Sequence, residues 1–266
     1  MRRYVRPMRP DLVAAVRAES ARFADALAAT DPAAPVPTCP EWTAADLLWH
    51  LTETQVLWAV VVRDRLAEPG PAQAAKPPRP ADHRELVALA RDTTAMLAAA
   101  LDDADDAEPV WTWFPGEHTV GFVRRRQAHE ALIHRIDAEL AAGGPVSPVD
   151  RYLATDGVTE VLHLTCDDTP SWASRVPDGP LGEITTTDTD ASWLVRLGRL
   201  TGTSPRTGDV WDFAALTWAT EGTPAFSVSG SAADVDAWLW NRAADTAVTR
   251  SGDHAAFDAL VRDGLV

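Results

Sequence analysis

The sequence is poor in the residues that build covalent frameworks and basic surfaces. Among its 266 residues are two cysteines, Cys39 and Cys166, too few for a disulfide scaffold. Lys76 is the single lysine, and the 24 basic residues face 39 acidic ones for a formal charge of −15. A nucleic-acid or anionic-membrane surface needs a basic patch, so this balance argues against both. No uninterrupted apolar run is long enough to span a bilayer. The first residues, Met1-Arg-Arg-Tyr-Val-Arg-Pro, carry charge with no apolar stretch behind them. No secretory leader is therefore expected, and a reducing cytoplasm is the expected compartment. There is no G-x-G-x-x-G, no Walker loop and no G-x-S-x-G.

What is present reads as a folded chain. At 46% hydrophobic and 24% charged, the composition is that of a globular protein rather than a disordered one. Eleven tryptophans against two tyrosines imply several large buried anchors. The length suits one large domain or two ordinary ones.

The first half reads as helices. Asp11 to about Ala29 has an amphipathic pattern through Leu12, Val13, Val16, Phe23 and Leu27. Val36-Pro-Thr-Cys-Pro is a stop-and-turn signal, and Thr43 is a good N-cap for a helix reaching about Leu66. A proline-rich loop follows from Glu68 to Pro80. A third helix is expected from His83 to Leu101 and a fourth from about Val120 to Ala142, closed by Gly143-Gly144. Four long amphipathic helices make a bundle the simplest architecture. After Pro148 one more helix runs through Tyr152, Val158 and Leu162. Short β-like runs then appear at Gly182 to Thr187, Ser192 to Gly198, Pro224 to Ser229 and Thr246 to Arg250. Helices are expected at Asp234 to Arg242 and His254 to Arg262. The expected fold class is α+β in two domains, a helical bundle over 1–146 and a small α/β domain over 147–266.

Glu130 and His134 are four apart in the fourth helix. Four residues advance about 400°, so the two side chains converge to within about 40°. His129 and His134 are five apart and diverge by about 140°, so they do not share an ion on a regular helix. This also excludes the H-E-x-x-H signature of zinc proteases. His50, near the start of the second helix, would add a second nitrogen. Two nitrogens and one carboxylate oxygen bind a divalent metal and leave a position open, which suits chemistry rather than scaffolding. The same i, i+4 spacing also suits an ordinary surface hydrogen bond, and pattern alone does not join His50 to the pair. His83, His118, His163 and His254 have no partner at ligand spacing and read as structural or exposed. Cys39 could serve as a nucleophile or a fourth ligand, but a small buried residue at a loop–helix junction is the preferred reading, and Cys166 reads as packing too. Asp46, one turn before His50, either orients that imidazole or serves the first turn of its own helix.

The segment Val36-Pro-Thr-Cys-Pro-Glu-Trp-Thr-Ala-Ala-Asp-Leu-Leu-Trp-His-Leu resembles the N-terminal signature of the mycothiol-dependent maleylpyruvate isomerase family, roughly V-P-x-C-P-x-W-x-x-x-D-L-x-x-H-L. His129-Glu-Ala-Leu-Ile-His-Arg-Ile-Asp-Ala-Glu resembles its second signature, H-E-x-x-x-H-R-x-D-A-E. Ala154-Thr-Asp-Gly-Val-Thr-Glu, the run from Phe226 to Arg242, and Ser251-Gly-Asp-His look like elements of its C-terminal half. The resemblance implies a DinB-like four-helix bundle followed by a small α/β domain. It implies a divalent metal, usually zinc in that family, on His50, Glu130 and His134, and mycothiol as co-substrate. It assigns Arg242 to the active site, although Asn241 stands where glycine is usual, and Glu41 likewise. The implied activity is thiol-dependent isomerisation of a small-molecule electrophile such as maleylpyruvate. Mycothiol transfer, or metal or small-molecule binding without turnover, are the alternatives. A monomer or weak dimer is expected.

Overall fold

The computed structural model describes residues 10–265. The charged N-terminal stretch discussed above lies outside the described residues. The chain separates into two compact units, residues 11–148 and 149–265. No described helix is long and apolar enough to cross a membrane.

The first unit is built on helices. Helix α1, Leu12–Ala28, starts at Asp11, whose side chain accepts from the Ala14 amide at 2.9 Å. The segment expected as a bare turn pairs instead into a small antiparallel hairpin, β1 (Pro35–Val36) and β2 (Cys39–Thr43). Its apolar and polar residues do not alternate, so the period-2 signal is missing. Thr43 ends β2 and caps α2, Ala44–Arg63. Asp46 completes a capping box with Thr43 and also accepts from Arg79 at 2.7 Å. The Thr43 and Arg79 hydrogen bonds hold its carboxyl down at about 2. Asp46 therefore serves the helix start.

The proline-rich loop contains one short helix, α3 (Gly70–Ala74), with Pro71 in the first turn, where its missing N–H costs nothing. Helix α4 spans His83–Asp102 and α5 spans Val120–Ala141, with Gly143 following at φ 71°. Helix α1 packs on α4 and α5, and α2 packs on the same pair. One apolar cluster holds Val16, Trp58, Val61, Leu97 and Val123, and another Phe23, Leu27, Leu47, Leu51 and Leu86. Inside, Gln55 donates to Ser20 at 2.8 Å and accepts from Thr94 at 2.7 Å. Arg135 on α5 is fully buried, bonded to Glu19 of α1 and to Glu139, each at 2.8 Å. It also donates to the Ser147 carbonyl at 2.9 Å.

The second unit begins with α6, Arg151–Asp167, capped by Asp150. Six strands form one sheet: β3 (Ala173–Val176), β4 (Leu181–Thr186), β5 (Ser192–Thr203), β6 (Val210–Trp218), β7 (Phe226–Gly230) and β8 (Thr249–Gly252). Strand β5 pairs β3 and β4 along different stretches, and β6 antiparallel along Val195–Thr203. Strand β7 pairs β4 in parallel and β8 antiparallel. At the parallel pair a Cβ on Gly182 would lie 2.0 Å from the Phe226 ring, so only glycine fits. Strands β3 and β6 were not foreseen from sequence. The apolar Val210, Phe213 and Trp218 of β6 are exposed, which inverts the usual pattern. Helix α7, Ala232–Leu239, packs on α6, and α8, Ala255–Asp263, adds Phe257 to the core.

Candidate metal centre

Helices α2 and α5 carry the three side chains singled out as candidate ligands. His50, Glu130 and His134 each offer one ligand atom, and these atoms all lie within 4.8 Å of one another. Glu130 Oε1 is 3.2 Å from His50 Nε2 and 3.3 Å from His134 Nε2. A tetrahedral ion with bonds of about 2.0–2.2 Å separates its donors by about 3.3–3.6 Å. The residues fit a divalent metal in both donor type and spacing.

The surroundings orient these groups. Asp137, fully buried on α5, lies with Oδ2 2.9 Å from His134 Nδ1. An ionised carboxylate only accepts, so Nδ1 donates and the neutral ring keeps its lone pair on Nε2. Asp137 Oδ1 accepts from the Thr38 hydroxyl, and Cys39 Sγ stands 4.0 Å from Oδ2. Arg126 donates to Glu130 Oε2 at 2.6 Å. The Trp42 ring lies 4.6 Å from the His50 ring, centre to centre, and 6.1 Å from that of His134.

Burial disfavours charge at both α5 candidates, Glu130 and His134, but each steadies the other. Burial works to raise the Glu130 carboxyl, yet His134 and Arg126 outweigh it and hold it well below the usual range. Burial would lower His134, but the Glu130 and Asp137 carboxylates outweigh it and raise its pKa to about 9. The metal-free centre is therefore a charged, hydrogen-bonded cluster around neutral pH.

The other histidines stand apart from this group. His129 is fully buried, so it faces protein rather than solvent. His83 Nε2 lies 2.9 Å from the Leu27 carbonyl, and His118 bonds Thr112. His163 and His254 pair with Asp167 and Asp258. Cys39 is partly exposed, whereas Cys166 is buried and its thiol is pushed up to about 12 by burial. Such a thiol is inert near neutral pH.

Arg242 lies in the second unit, just after α7. Its amide bonds the Ala237 carbonyl at 2.7 Å while the Asn241 amide bonds that of Trp238 at 2.9 Å. This is a Schellman closure, and Asn241 occupies its left-handed position at φ 61°. Asparagine is the residue that best replaces glycine there, so the turn survives the substitution. The Arg242 side chain donates to the Trp240 carbonyl at 2.7 Å.

Residues 13–139 match the mycothiol maleylpyruvate isomerase N-terminal domain. That match places residues 13–139 in this domain family. Two solved structures share the fold across both units: a crystal structure of the mycothiol-dependent maleylpyruvate isomerase (TM-score 0.59) and one of a histidine-to-alanine mutant of it (0.60). Each is 14% identical and covers 91% of this chain and 92% of its own. No curated protein matches the sequence. The family match ends at residue 139, so it includes all three candidate ligands. Sequence reasoning passed over Trp42, Arg126 and Asp137. The last two sit one turn from Glu130 and His134, and that spacing was the available signal.

Proposed function

We propose that this protein is a metal-dependent enzyme that uses a low-molecular-weight thiol, mycothiol in the family whose N-terminal domain it carries, to act on a small electrophile. The observation that carries this reading is the convergence of His50, Glu130 and His134 at metal-donor spacing, inside the matched domain. A bound divalent metal, zinc by the family resemblance, would take the thiol sulfur at its open position and lower the thiol pKa, so that thiolate is present near neutral pH.

The chain's own residues then have separable tasks. The three ligands hold the ion, and the Trp42 ring beside both imidazoles restricts their motion. The thiolate adds to one carbon of a cis double bond activated by a carbonyl. Rotation about the resulting single bond and elimination of the same thiol give the trans product. Arg242 is proposed to hold a substrate carboxylate with its guanidinium fork. No covalent protein nucleophile is needed. A transferase would stop at the adduct; the low identity to the isomerase structures keeps that second reading in play. The proposed arrangement is a DinB-like four-helix bundle with an α/β domain, in the cytoplasm, without a nucleic-acid partner.

Metal analysis of purified wild-type protein and His50→Ala tests the centre, and equal metal content in both would reject the ligand assignment. Maleylpyruvate turnover followed by absorbance, with and without mycothiol, tests the reaction. Thiol-independent turnover would reject the mechanism, and adducts with other electrophiles would favour transfer. Stoichiometric metal with no turnover of any electrophile would leave a binding protein.

A further inference from the structure

We infer that Arg126 and Asp137 are positioning residues that fix which single atom each α5 ligand presents to the metal. The inference rests on the metal reading above and adds residues that the ligand set does not contain. Imidazole offers one lone pair when neutral, and the partner of its other nitrogen decides which one. Asp137 Oδ2 accepts from His134 Nδ1 at 2.9 Å, so the lone pair is at Nε2, the atom that faces Glu130 Oε1 at 3.3 Å. Asp137 is itself held, because its Oδ1 accepts from the Thr38 hydroxyl in the turn between β1 and β2.

Arg126 does the matching task for the carboxylate. Its Nη2 donates to Glu130 Oε2 at 2.6 Å, leaving Oε1 toward His50 and His134. A carboxylate with one oxygen engaged by a guanidinium binds an ion through the other. Monodentate binding keeps a coordination position free for an incoming sulfur, which bidentate binding would crowd.

A plainer account would make these pairs ordinary helix ties at i, i+4 and i, i+3. Such ties belong on exposed surfaces, where both charges stay hydrated. Here Asp137 is fully buried and Arg126 is 7% exposed. Burying charges to gain only a helix contact is unfavourable, because desolvation outweighs it. The directed geometry toward one cluster accounts for both better than helix stability does.

The test is zinc titration of the full-length protein, by competition with a chromophoric chelator, for wild type, Asp137→Asn, Arg126→Met and Arg126→Lys. Asp137→Asn and Arg126→Met should weaken zinc binding by about 10- to 100-fold, and Arg126→Lys should recover most of the loss. With cobalt in place of zinc, Arg126→Met should also lose visible-band intensity, as a bidentate carboxylate raises the coordination number. Circular dichroism establishes that each variant is folded. A wild type that binds no zinc would overturn the metal reading and this inference with it. Stoichiometric zinc in the wild type, with unchanged dissociation constants and cobalt spectra in the folded variants, would overturn the positioning roles alone. Should Asp137→Asn fail to fold, the Arg126 pair decides: no loss in Arg126→Met, or no recovery in Arg126→Lys, refutes the inference.

Discussion

Lowering the pH from about 9 to about 6 should weaken divalent-metal binding by roughly tenfold per unit, because one ligand must first give up a proton. Burial disfavours the charged form of His134, but the carboxylates of Glu130 and Asp137 outweigh it and set its pKa at about 9. Below that value the metal-free ring carries protons on both nitrogens, including Nε2, the atom that faces Glu130. At about pH 7 the ion competes against a proton favoured roughly 100-fold, a handicap on the order of 3 kcal/mol. Glu130 is already ionised over this window, since its carboxyl is held well below the usual range. Calorimetric zinc titrations near pH 7, in buffers of different ionisation enthalpy, should show about one proton released from His134 per ion bound. A dissociation constant that stays flat between about pH 6.5 and about pH 8.5, with no proton release, would refute the reasoning. The same shift has a stability counterpart. Its folded pKa lies above the unfolded value of about 6.5. The stabilisation is therefore fully present below about 6.5 and is lost as pH rises through about 9. The thermal midpoint of metal-free protein should fall across that window.

Arg135→Met should destabilise the first unit by about 3–5 kcal/mol, because it leaves the carboxylates of Glu19 and Glu139 buried without their cation; urea denaturation measures this, and a loss under about 1 kcal/mol would mean the cluster behaves as a surface pair. Asn241→Gly should hold or slightly raise stability, whereas Asn241→Val should lower it by about 1–2 kcal/mol, since the left-handed backbone at φ 61° penalises a β-branched side chain. Equal thermal midpoints for the two variants would argue against that backbone conformation.

The sequence made the pair on α5 visible because helical spacing converts directly into convergence. His50 was different in kind: its approach depends on how α2 packs against α5, which no local pattern encodes, and only the motif resemblance joined it to the pair. Asp137 and Arg126 sat at helical spacing too, yet an Asp or Arg one turn away from a ligand is common on any helix surface. What set them apart was burial, a property of the packed structure. The long helices were legible through their apolar stripes and caps, Thr43 and Asp150 among them. Strand β6 was not, because Val210, Phe213 and Trp218 point outward and erase the alternation that marks a half-buried strand. Helix α3 was hidden by prolines that normally signal a loop.

The parallel pairing of β4 with β7 bears on the order in which the chain takes shape. Gly182 aligns with Phe226, and the chain between them must be made before the centre of the sheet can close. Closing that segment costs entropy before any ladder bond repays it. The three candidate ligands, by contrast, all lie within residues 11–148. On a ribosome they emerge well ahead of β7, so the candidate centre has all three of these side chains while β4 still lacks its parallel partner. Ion capture by the nascent helical unit would then precede completion of the sheet.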